Sequence, residues 1–144
     1  MISGPALENK EALPYVAIIT QVTIPEIPAV LPPLIPKVFN WLQKRDIAPA
    51  GPRFFRYLEK NGDTWQVAVG FPVSHPVAGD NQVQAGSFPA GQYAVIRYQG
   101  PYTSLFRAHT TLENWIKDLD FLILGQPAEF YITDPGLEPN PENC

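Results

Sequence analysis

Proline decides which elements this chain can hold. Seventeen of its 144 residues are proline. Each removes a backbone donor and holds φ at about −65°, so a helix accepts one only in its first turn and a sheet only at an edge or a strand end. The chain is therefore cut into short elements by hard stops. Because 45% of the residues are hydrophobic, these stops belong to a globular fold and not to a disordered proline-rich segment. The length suffices for one domain with a single core.

Residues 1–12 carry little pattern and read as a flexible N-terminal arm with at most one short edge strand. From Pro14 to Thr23 the run is apolar and β-branched, which predicts a strand buried on at least one face. Prolines at 25, 28, 32, 33 and 36 delay a regular helix until about Leu34; Val38, Trp41 and Leu42 then follow amphipathic spacing, and the helix ends near Asp46. Strands over 53–59 and 64–71 flank Asn61-Gly62-Asp63, the strongest hairpin signal present. Alternation puts Phe55 and Tyr57 on one face of the first, and Trp65, Val67, Val69 and Phe71 on one face of the second. Strands over 83–88 and 92–98 surround a turn at Pro89-Ala90-Gly91, and a second helix follows Gly100-Pro101 to about Lys117. Its expected buried stripe is Leu105, Ala108, Leu112, Trp115 and Ile116.

The two halves echo each other. Leu13-Pro14-Tyr15-Val16-Ala17-Ile18 matches Gly91-Gln92-Tyr93-Ala94-Val95-Ile96, and Asn40-Trp41-Leu42 matches Asn114-Trp115-Ile116. Each half reads as strand, helix and further strands. The expectation is an α+β fold in which duplicated strand-helix-strand-strand modules form an antiparallel sheet with two helices on one face, and a groove lies between the modules.

Composition excludes several functions. A net charge of -4 and an isoelectric point of about 5.0 provide no basic footprint for direct nucleic-acid binding. A single cysteine, Cys144, allows no intrachain disulfide or thiolate cluster, and His75 and His109 show no metal-ligand spacing, so neither metal nor cofactor is expected. No segment is long enough to cross a bilayer and no signal peptide opens the chain, which points to the cytoplasm. None of the four serines sits in a nucleophile elbow, and phosphate-binding glycine loops are absent.

The chemistry concentrates in the stretch from Pro127 to Pro135. Alternation places Glu129, Tyr131 and Thr133 on one face of a short strand, opposite Ala128, Phe130 and Ile132. A carboxylate on so apolar a strand is costly to bury alone, and burial raises its pKa. Either Glu129 faces water at an edge, or it serves a ligand. Aromatic strand residues favour the second: Phe55, Tyr57, Trp65, Phe71, Tyr98, Tyr102 and Tyr131 offer faces that suit an organic cation beside a carboxylate.

The motifs Gly51-Pro52-Arg53-Phe54-Phe55-Arg56-Tyr57, Gly70-Phe71-Pro72-Val73, Phe88-Pro89-Ala90-Gly91-Gln92-Tyr93-Ala94, Gly100-Pro101-Tyr102 and Ala128-Glu129-Phe130-Tyr131-Ile132-Thr133-Asp134-Pro135 occur in this order. In this the chain resembles GyrI-like small-molecule-binding domains, also called bacterial transcription-activator effector-binding domains. The resemblance spans roughly residues 14–140. It implies a ligand groove with an acidic residue at its centre, here Glu129. It also implies a stand-alone member, because no helix-turn-helix fits before Pro14. In regulators that carry a helix-turn-helix such domains sense lipophilic, often cationic drugs, whereas stand-alone members resemble the DNA gyrase inhibitor protein, bind toxic small molecules, or hydrolyse reactive cyclopropane-bearing compounds.

The domain is expected over 13–135, followed by an acidic, proline-containing tail over 136–144. Family members usually continue into a last strand that this chain lacks, which leaves an open sheet edge for a second copy or another partner. The leading function is binding of a lipophilic aromatic cation, for sensing or sequestration, with Glu129 as anchor and Tyr57, Tyr102 and Tyr131 among the walls. The alternatives are a hydrolase using Glu129 and Tyr131, and a gyrase-inhibitor-like interaction with a protein.

Overall fold

A computed structural model describes residues 2–132. The strand β1 (Ile2–Lys10) is followed by β2 (Leu13–Thr23), a 3-10 turn (Ile24–Glu26), and two helices, α1 (Ile27–Val30) and α2 (Leu34–Lys44). Then come β3 (Arg53–Asn61), β4 (Thr64–Pro72), β5 (Gln84–Phe88) and β6 (Gly91–Tyr98). A 3-10 turn (Tyr102–Ser104) leads into α3 (Leu105–Asp118), and β7 (Ala128–Tyr131) is the last described strand. The α+β class and the duplicated modules are as the sequence implies. The tail over 136–144, the continuation of the last strand past Ile132, and the question of a further strand lie outside the described residues.

The strands divide between two antiparallel sheets, where the sequence suggested one, and these belong to two compact units. The larger unit, Ala12–Pro89 with Gly125–Tyr131, holds a five-stranded sheet in the order β5-β2-β4-β3-β7. Its hairpin β3–β4 turns through Gly62-Asp63, and Gly62 takes a φ of 63°, a left-handed value that glycine adopts at no steric cost. At Gly70 the strands come so close that a Cβ would lie 1.9 Å from the Val16 carbonyl oxygen, so only glycine fits. α2 buries Val38, Trp41 and Leu42 on one face of this sheet, against Val16 and Phe71. The opposite face is apolar as well: Tyr15, Ala17, Phe54, Ala68 and Phe88 form a second cluster. Both faces being covered explains why Val67 to Pro72 are buried without a break.

The smaller unit comprises residues 2–11, 90–124 and 132 among those described, with β1 paired to β6 and α3 packed on both. Two sequence expectations change here. Residues 2–10 are a strand, not a loose arm: Gly4-Pro5 falls where the pairing with β6 shifts register, and an irregular edge strand tolerates proline there. The strands flanking Pro89-Ala90-Gly91 do not pair with each other; β5 pairs with β2 and β6 with β1. A two-stranded sheet shields less of its helix, so only Ala108 of the expected α3 stripe is fully buried.

The repeat extends further than the sequence match. α2 and α3 both end with an aspartate in the left-handed region, Asp46 at φ 55° and Asp120 at φ 63°. Ile47 N–H donates to the Leu42 carbonyl at 3.0 Å and Phe121 N–H to the Ile116 carbonyl at 3.3 Å. Both ends thus close with the same carbonyl-satisfying loop.

Candidate ligand-binding site

Strand register assembles the candidate site inside the larger unit. Glu129 lies directly opposite Phe55, and Arg53 opposite Tyr131, while Tyr57 N–H donates to the Pro127 carbonyl at 3.0 Å. Phe55, Tyr57, Glu129 and Tyr131 therefore share one face as cross-strand and diagonal neighbours. It is the face that α1 covers: Leu31 is fully buried against Phe55, Val67 and Val69, with Tyr57, Trp65 and Tyr131 around them.

Two phenols converge on one oxygen. Tyr131 Oη donates to Glu129 Oε1, and Tyr57 Oη donates to the same atom at 3.5 Å. The rings continue outward edge to face, Phe55 with Tyr131 at 5.0 Å between centroids and Tyr57 with Trp65 at 5.5 Å. Glu129 is half-buried. Burial pushes the Tyr57 phenol well above its ordinary range, and the neighbouring Glu129 charge and hydrogen bond add to the shift. The phenol thus keeps its proton at any physiological pH and acts as a donor to the carboxylate.

The rim of this patch carries a feature that alternation alone hides. β3 has an irregularity between Tyr57 and Glu59, after which Lys60 pairs with Trp65. The extra residue lets an even-numbered side chain share the face of the odd-numbered ones. Lys60 Nζ sits 5.6 Å from the centre of the Trp65 ring. Thr23, Ile24, Pro25, Lys60, Asp63 and Trp65 surround an open hollow of about 430 Å³. The 3-10 turn bordering it is tied down by Glu26, whose carboxylate accepts the Thr23 N–H and hydroxyl, each at 2.8 Å. Those bonds hold the Glu26 carboxyl below the usual range.

Phe71, Tyr98 and Tyr102 are the remaining residues expected at the site. Phe71 belongs to the core under α2, with its ring 5.9 Å from that of Phe39. Tyr98 is in the smaller unit, where its hydroxyl donates to the Pro101 carbonyl at 2.6 Å. Tyr102 opens the 3-10 turn before α3, and its side chain lies outside what the structure describes. Among the described residues, no helix is long and apolar enough to cross a membrane.

The family model for GyrI-like small molecule binding domains matches residues 5–144. The chain belongs to that family. This GyrI-like domain is also similar in fold to solved structures. The crystal structure of the EcmrR C-terminal domain gives a TM-score of 0.77 at 19% identity, covering 97% of this chain and 90% of that one. EcmrR in a cryo-electron-microscopy complex with DNA gives 0.80 at 18% identity; 97% of this chain is covered, but it spans only 53% of the EcmrR chain. SAV2435 bound to tetraphenylphosphonium gives 0.68 at 10% identity, covering 98% of this chain and 88% of that one. A search of curated protein sequences finds no significant match to the GyrI-like chain.

Proposed function

We propose that this GyrI-like domain binds a lipophilic aromatic cation, with Glu129 as the electrostatic anchor and Phe55, Tyr57, Trp65 and Tyr131 as the surrounding rings. The observation that carries the reading is the convergence of two phenol donors on one oxygen of Glu129, within a chain of edge-to-face aromatic contacts. A carboxylate beside aromatic faces suits a weakly hydrated organic cation, because the negative faces of the rings add their attraction to that of the carboxylate. The tetraphenylphosphonium bound by SAV2435 has this chemistry. Burial makes the Tyr57 phenol a weaker acid, which leaves it a hydrogen-bond donor to the carboxylate.

Isothermal titration with tetraphenylphosphonium, and with neutral triphenylphosphine oxide as control, tests the proposal. The cation is expected to bind in the micromolar range, about −8 kcal/mol, and the neutral compound at least about tenfold more weakly. Glu129→Gln should lose that preference while keeping wild-type circular dichroism. Equal affinity of wild type and Glu129→Gln for the cation would refute the anchor role. Repeated turnover of a cyclopropane-type electrophile that vanishes in Glu129→Gln and Tyr131→Phe would replace binding with hydrolysis.

A further inference from the structure

The smaller unit carries an apolar surface that the proposed site does not use. Beyond the turn at Asp120, the chain runs through Phe121, Leu122, Ile123 and Leu124 with no regular structure before Gly125. Five large apolar residues are exposed here in near-unbroken sequence: Leu119 by 45%, Phe121 by 47%, Leu122 by 83%, Ile123 by 51% and Leu124 by 91%. Together they present roughly 600 Å², the upper limit of what a monomer usually leaves in one patch. Among the described residues, the backbone of Leu122, Ile123 and Leu124 makes no hydrogen bond. Exposed apolar side chains and unpaired peptide groups therefore coincide on one short segment. An added strand would satisfy both, because pairing takes up the N–H and C=O groups while packing covers the side chains.

We propose that this segment is where two copies of the chain meet, with residues 121–124 of one running antiparallel to the same residues of the other across a twofold axis. Charge and area both favour a second copy. No charged residue interrupts the stretch from Phe121 to Leu124, and antiparallel pairing sets Asp120 of one copy opposite Gly125 of the other, so the carboxylates stay apart. Roughly 600 Å² on each copy gives at most about 1,200 Å² in an isologous contact, which reaches the lower bound for a specific interface. Residues 133–144 contain one large apolar side chain, Leu137, against five to be covered.

Sedimentation velocity of the full chain from about 1 to about 200 µM reads the association directly. The mass is expected to rise from 16.0 kDa toward twice that value. The double variant Leu122→Glu, Leu124→Glu should stay at the lower mass with unchanged circular dichroism, because its dimer constant weakens by roughly 100-fold or more. Amide exchange at 121–124 should slow as concentration rises. A wild-type chain that remains at 16.0 kDa overturns the proposal, as does association undiminished in the double variant. Protection at 121–124 that is independent of concentration overturns it too, by assigning the strip to residues of the same chain.

Discussion

Replacing Phe54 by alanine tests whether the sheet face opposite α2 is a close-packed core. Phe54 is fully buried, and its ring meets three others: Tyr15 at 4.9 Å, Phe88 at 5.1 Å and Phe130 at 5.5 Å between centroids. The Tyr15 and Phe88 contacts are edge to face. Deleting a buried phenylalanine ring costs about 3–5 kcal/mol in transfer and cavity energy. The loss of two well-oriented aromatic pairs puts Phe54→Ala near the top of that range, about 4–5 kcal/mol. Phe130 touches the same cluster but is 42% exposed, so Phe130→Ala should cost only about 1 kcal/mol. Urea unfolding followed by far-ultraviolet circular dichroism and tryptophan fluorescence measures both variants, and the larger loss should lower Tm by roughly 10–15 °C. A cost for Phe54→Ala below about 1.5 kcal/mol would refute the reasoning, since a residue packed on three rings cannot be removed so cheaply.

The Asp80 carboxylate accepts the Val83 N–H at 2.9 Å, the Trp41 indole N–H at 2.9 Å, the Gln82 N–H at 2.9 Å and an Arg45 guanidinium N–H at 3.1 Å, and these bonds hold its pKa down to about 2. Its contribution is complete above the unfolded value near 4 and lost as pH falls through about 2. Calorimetry should therefore show a Tm gap between wild type and Asp80→Asn that is constant from about pH 5 to 8 and narrows below about pH 4; a gap unchanged at pH 2.5 would contradict it. Asp46 and Asp120 sit exposed at φ 55° and 63°, so Asp46→Gly and Asp120→Gly should each stabilise by about 0.5–1 kcal/mol in urea titrations; destabilisation by either would show that the aspartate side chain contributes more than its strain costs.

Most of the elements, β1 apart, and the local partnership at the site are legible in the residues themselves. Proline placed the helix starts, Asn61-Gly62 placed the hairpin, and the period of two on β7 put Glu129 beside Tyr131, because these are short-range consequences of backbone sterics. Strand pairing is set by long-range packing. β1 joins β6, and β5 joins β2, across separations of dozens of residues that no local pattern encodes. The same holds for which aromatics meet the carboxylate. Tyr57 and Phe71 read alike along their strands, yet pairing to β7 brings Tyr57 to Glu129, while packing under α2 takes Phe71 into the core. One extra residue after Tyr57 turns Lys60 toward Trp65, a change of face that strict alternation forbids.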